Sequence, residues 1–175
     1  NERFATWDEL RALQASGTID IQAHSLRHAA VFCDSECVGF ITPDMVRHVH
    51  LHPWTATAAG DRFLSAADLG APLYLQRSRY SDALRYDNAE AFEACTRFVR
   101  ENGGAEFFRR AGWELKLRQL AAATPGLQET PAQRDAAIRE DLVAARETLN
   151  AKLNTNTVRH MCFPWAVAGR AAEEA

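Results

Sequence analysis

"TWDELRALQASGTIDIQAHSLRH", residues 6–28, is the stretch that decides the fold reading. Thr6 stands before Trp7, and Glu9 lies three residues after Thr6. That spacing is a capping box: the threonine hydroxyl takes an early helix N–H and the glutamate reaches back. Trp7, Leu10 and Leu13 then recur at helical spacing until "ASG", where Gly17 suits a left-handed cap. Ile19 and Ile21 alternate with Asp20 and Gln22, which predicts a short strand over 19–23. His24 falls where that strand ends, with His28 four residues on and Ser25 between them. Helix, tight turn, strand and then a reactive side chain at the strand's C-terminal end is how α/β folds present their chemistry.

The rest of the chain sets bounds on that reading. With 175 residues and 47% hydrophobic content, the chain can bury a substantial core. Its 20 basic and 23 acidic residues leave a net charge of -3, a balance that gives no electrostatic reason to bind nucleic acid or an anionic membrane, which call for a concentrated basic face. No apolar run reaches the roughly 18–20 residues of a transmembrane span, and no signal peptide is visible after Asn1. Cys33 and Cys37 form a lone C-x3-C without a second pair, which reads as two reduced thiols rather than a zinc knuckle. Cys95 and Cys162 are expected to be buried.

Beyond His28 the pattern changes. Residues 29–60 look irregular, with a short strand in "VGFITPDM" and a loop in "TATAAGD". "SAADLGAPL" reads as a short helix ended by Gly70. "DNAEAFEACTRFVRENGG" is a strong amphipathic helix, capped by Asp87 or Asn88 and stopped by Gly103 and Gly104. "AEFFRRAGWELKLRQLAAA" continues helical through Gly112. After the break at "TPGLQETP" comes a long helix with Ile138, Leu142, Ala145 and Leu149 on one side. The mixed charges from Arg134 to Arg146 describe its solvated face. "VRHMCFPWAVAG" reads as a strand stopped by Pro164, and "RAAEEA" opens a last helix.

Two blocks of this sequence resemble the polysaccharide deacetylases of the NodB type (carbohydrate esterase family 4-like). Residues 6–28 resemble the family's second conserved block, in which helix, "SG", strand and H-[ST]-x-x-H follow one another. "RHMCFPWAVAG", residues 159–169, resembles the third block, where a strand ends in aromatic-Pro-aromatic. The order of the blocks agrees with the family. The resemblance implies an α/β fold, with partial distorted (β/α) barrel elements at both ends and a large, mainly helical insertion. Residues 1–40 and 154–175 are the deacetylase-like parts, and 41–153 the insertion. It also implies a metal-dependent hydrolase acting on carbon–nitrogen bonds other than peptide bonds. Such an enzyme removes N-acetyl groups, sometimes O-acetyl groups, from a glycan.

By that resemblance His24 and His28 are two ligands of a divalent metal, zinc first. The chemistry agrees, since imidazoles four apart on a turn can converge on one ion. The resemblance also implies that Trp165 offers its backbone N–H to the developing oxyanion and that Phe163, Pro164 and Trp165 form part of the sugar-binding wall. The third ligand and the general base of the family are aspartates from an upstream Asp-Asp block, and this chain has no Asp-Asp pair. The general-acid histidine belongs to a block beyond Ala175, and Ala166 stands where the family has glycine. The chain is therefore expected to be an internal piece holding the histidine half of the site, by itself a weak metal binder at best. His48, His50 and His52 alternate with apolar residues and are weaker metal candidates. They read as a solvated loop before Pro53 and Trp54, and they are also the residues able to replace the missing aspartate.

A rival from another class is a non-catalytic glycan-binding or protein-interaction module on the same frame. A third is an unrelated metal-binding domain around His48, His50 and His52. An incomplete barrel exposes sheet edges and apolar helix faces, so self-association is expected. The compartment stays open between cytoplasm and cell envelope.

Overall fold

The computed structural model describes residues 4–45, 53–65 and 67–175. They form two compact units, one of Asn1–His28, Tyr80–Asp82 and Asp135–Ala175, the other of Ala29–Arg79 and Ala83–Arg134. Helix and strand are mixed, as expected. The described strands pair two by two and close no barrel among the described residues. No helix among them is long and apolar enough to cross a membrane.

The first unit opens with α1, Trp7–Ala15, and its capping box is formed: Glu9 N–H donates to the Thr6 hydroxyl and Thr6 N–H to the Glu9 carboxylate. The strands expected over 19–23 and before Pro164 shrink to a single parallel bridge between Ala23 and Met161. Two hydrogen bonds make it, from Ala23 N–H to the His160 carbonyl and from Cys162 N–H to the Ala23 carbonyl. Ile19 is exposed, so the alternation at 19–21 does not bury a full strand face. The long helix α4, Pro131–Leu153, contributes Ile138, Ala145 and Leu153 to the unit's interior. Ala145 and Leu153 pack with Ala23 and Val158, and Ile138 packs with Tyr80 and Ala172. Ala172 lies on α5, Arg170–Glu173.

The second unit carries more strand than its sequence suggested. β1, Ala30–Phe40, pairs antiparallel with β4, Pro72–Ser78. The register slips between Phe32 and Cys37, so Asp34, Ser35 and Glu36 bulge out. The segment expected as the loop "TATAAGD" is instead a hairpin of β2, Trp54–Thr57, and β3, Gly60–Phe63. Two-residue strands β5, Tyr86–Asp87, and β6, Leu127–Gln128, form the third pair. α2, Ala89–Glu101, takes Asn88 as its cap. The helical run expected through Gly112 breaks there. Gly112 sits at φ 74°, a short 3-10 turn covers Gly104–Arg109, and α3 runs over Trp113–Ala122.

In place of the short helix expected to end at Gly70, the described residues around Asp68 form a turn leading into β4, and Asp68 explains it. Its carboxylate accepts the Ser65 N–H at 2.7 Å and both Arg62 guanidinium nitrogens at 2.8 and 2.6 Å. Burial alone raises the Asp68 carboxyl, but the Arg62 and Ser65 donors outweigh it and hold the pKa below the ordinary carboxylate range. A depressed native pKa stabilises the fold above the unfolded-state value, and that stability is lost as pH falls through the native one. The acid limb of a pH-dependent urea series should therefore be shallower in Asp68→Asn than in the parent. An identical limb in both counts against this ion pair.

Candidate functional site

The bridge between Ala23 and Met161 brings the two sequence blocks side by side. His24 follows Ala23, and its Nδ1 lies 2.7 Å from the carbonyl oxygen of Cys162, 138 residues away in sequence. A carbonyl can only accept, so Nδ1 carries the proton in this contact. In the neutral imidazole this leaves the Nε2 lone pair available. A histidine whose other ring nitrogen donates to a backbone carbonyl is held in one tautomer and one orientation, which is the arrangement found around metal ligands.

His28 comes back to His24 through a tight turn. Its N–H donates to the Ser25 hydroxyl at 2.8 Å, closing the loop between the two histidines. The ring centroids of His24 and His28 are 5.0 Å apart. Two imidazoles sharing one tetrahedral ion at about 2.05 Å hold their ring centres roughly 5 Å apart. The His24–His28 centroid spacing is of that size. Among the described residues no group of three or more His, Cys, Asp or Glu side chains is placed to share an ion. His48, His50 and His52 lie outside the described residues.

Trp165 also packs on His28, ring edge to ring face, with centroids 4.4 Å apart. It is 38% exposed, so an indole surface remains open beside the histidines. Its neighbours point elsewhere: Pro164 is fully buried, and Phe163 packs on Tyr80 at 5.4 Å. Of the three residues read as a sugar wall, Trp165 is exposed, Phe163 is half-buried and Pro164 is buried. Cys162, expected to be buried, is exposed and serves the site through its carbonyl. The other thiols are unactivated, since burial raises Cys33 and Cys37 and pushes Cys95 up to about 12.

Backbone strain gathers at this place. Ser25, His28, Trp165 and Ala166 have φ of 70°, 50°, 56° and 53°, and among described non-glycine residues only Asn154 shares that region. L-residues avoid it at a cost of about 1–2 kcal/mol each, and such outliers concentrate at functional sites. Trp165 and Ala166 lie in two overlapping turns, closed by Ala166 N–H to the Phe163 carbonyl and Val167 N–H to the Pro164 carbonyl. Ala166→Gly should therefore raise stability by about 1 kcal/mol, since glycine removes the Cβ penalty. Urea unfolding measures it, and a loss of stability contradicts the strain assignment.

Sequence reasoning missed one residue that ties the turn down. Asp141 of α4 falls in the stretch read as a solvated charged face, yet it is only 6% exposed. The signal was present, because Asp141 lies three residues after Ile138 and four before Ala145, on the apolar stripe. It accepts hydrogen bonds from Leu26 N–H, the Arg27 guanidinium and the Tyr80 hydroxyl.

Compared with family models, curated proteins and solved structures, the chain matches none of them.

Proposed function

We propose that His24 and His28 are two ligands of a divalent-metal centre, zinc first, in a protein that removes N-acetyl or O-acetyl groups from a glycan. One observation carries the reading. Two blocks resembling successive deacetylase motifs, far apart in sequence, meet at the bridge between Ala23 and Met161, with both histidines and Trp165 in one cluster. On this reading the first unit belongs to a distorted (β/α) barrel, and carboxylates from sequence outside these 175 residues complete the site.

A divalent ion bound there supplies Lewis acidity, polarising an acetyl carbonyl and bringing bound water toward a neutral pKa. The Cys162 carbonyl holds His24 in the tautomer that leaves Nε2 available. The Trp165 indole, open beside His28, offers a flat apolar face to a sugar ring. Its backbone N–H is the candidate donor to the developing oxyanion.

Acetate release from N-acetylglucosamine oligomers by the full-length protein tests this reading. Release should require a divalent ion, stop with a chelator, return with zinc, and be lost in a folded His28→Ala variant. Release indifferent to chelator and to His28→Ala contradicts it, as does no release from any acetylated glycan by the zinc-loaded protein.

A further inference from the structure

We propose that Asp141 is the positioning residue of the histidine turn, holding from helix α4 the backbone that carries His28 back to His24. The inference rests on the metal reading above and deepens it. A carboxylate on the apolar stripe of a helix is costly unless donors compensate it. Asp141 has three, and two of them come from between the histidines. Its Oδ2 accepts the Leu26 N–H at 3.0 Å and the Tyr80 hydroxyl, and its Oδ1 takes Arg27 Nη1 at 2.9 Å. One buried side chain therefore holds two of the three residues between the histidines, Leu26 and Arg27.

The turn needs such a hold. Ser25 and His28 both sit at positive φ, a conformation that L-residues keep only when the surroundings over-determine it. Within the turn, the Ser25 hydroxyl supplies one tie through the His28 N–H. Asp141 supplies a tie to α4, which is anchored by the buried Ile138 and Ala145, and the Ser25 N–H adds another by donating to Met161 Sδ at 3.2 Å. Tyr80 is 1% exposed, and burial, then the Asp141 carboxylate, raise its phenol well above the ordinary value. It therefore stays a protonated donor to Asp141 throughout the physiological range. Asp141 touches neither imidazole in this account. It acts through Leu26 and Arg27.

The test uses the whole chain with His48, His50 and His52 replaced by alanine, titrated with zinc alone, and NMR of its histidine ring signals without metal. Asp141→Ala should weaken zinc binding about 10- to 100-fold. It should also move the His28 ring signals, shifted by the neighbouring Trp165 indole, toward free-imidazole positions. The Trp54 and Trp113 signals should not move. Asp141→Asn, which can still accept from Leu26 N–H, should recover part of both effects. Unchanged ring signals and zinc affinity in folded Asp141→Ala overturn the proposal. If Asp141→Ala does not fold, Tyr80→Phe and the surface change Arg27→Met decide: moved His28 signals support positioning, and unmoved signals in both refute it. If the parent binds no zinc while Asp141→Ala still moves the ring signals, positioning stands and the metal reading falls.

Discussion

Replacing Arg79 with methionine lowers the stability of the chain by about 3–5 kcal/mol. Arg79 follows β4 and is nearly buried, and its guanidinium meets Glu129 through two parallel contacts of 2.5 and 2.9 Å. The Glu129 carboxylate is itself mostly shielded and accepts the Arg85 N–H at 2.6 Å. Removing the cation leaves that carboxylate desolvated with one backbone donor in place of a matched fork. The cost is mostly the stranded charge rather than the lost contact. The double variant Arg79→Met/Glu129→Leu should therefore recover most of the loss, since replacing a whole buried pair with apolar groups is close to neutral. Urea midpoints of parent, singles and double form the cycle. A single variant within about 0.5 kcal/mol of the parent contradicts the assignment.

Gly70→Ala is expected to cost roughly 2–5 kcal/mol, from two separate causes. Gly70 lies at φ 88°, where a Cβ is disfavoured on backbone grounds alone. A Cβ there also comes within 2.4 Å of Val99 Cγ2 and 3.1 Å of the Cys95 carbonyl oxygen. Val99 is buried on α2 and has little room to withdraw. The glycine's N–H holds the Ile41 carbonyl at 2.8 Å, so shifting the backbone away loosens that tie as well. Adding Val99→Ala removes the clash and leaves the φ strain, so it should soften the penalty of Gly70→Ala without abolishing it. If Gly70→Ala is as stable as the parent, this close approach of turn and helix is misassigned.

What could be read from the sequence was what is local. The capping box of α1 and the length of α4 are encoded within a few turns of chain, and both form as expected. The strands between residues 30 and 78 were mostly hidden, because their pairing is long-range. β1 meets β4 across some forty residues and through a bulge that breaks its alternation. "SAADLGAPL" has helical composition, but the Asp68 side chain and the conformation of Gly70 turn it instead. The histidine pair was legible as a motif, while its geometry was not. The Cys162 carbonyl that orients His24 is a backbone group with no signature in sequence. Asp141 was legible in principle, since a charged residue on an apolar stripe asks for a partner. The surrounding mixed charges masked it.

On the proposed reading His24 and His28 form the histidine half of a metal site. The most direct test is a zinc titration by calorimetry of the chain carrying alanine at 48, 50 and 52, repeated with His24→Ala and with His28→Ala. One zinc per chain is expected, bound weakly for want of the carboxylate ligands, and lost in either single variant. Zinc binding that is unchanged in both variants, or no binding in the parent, contradicts it.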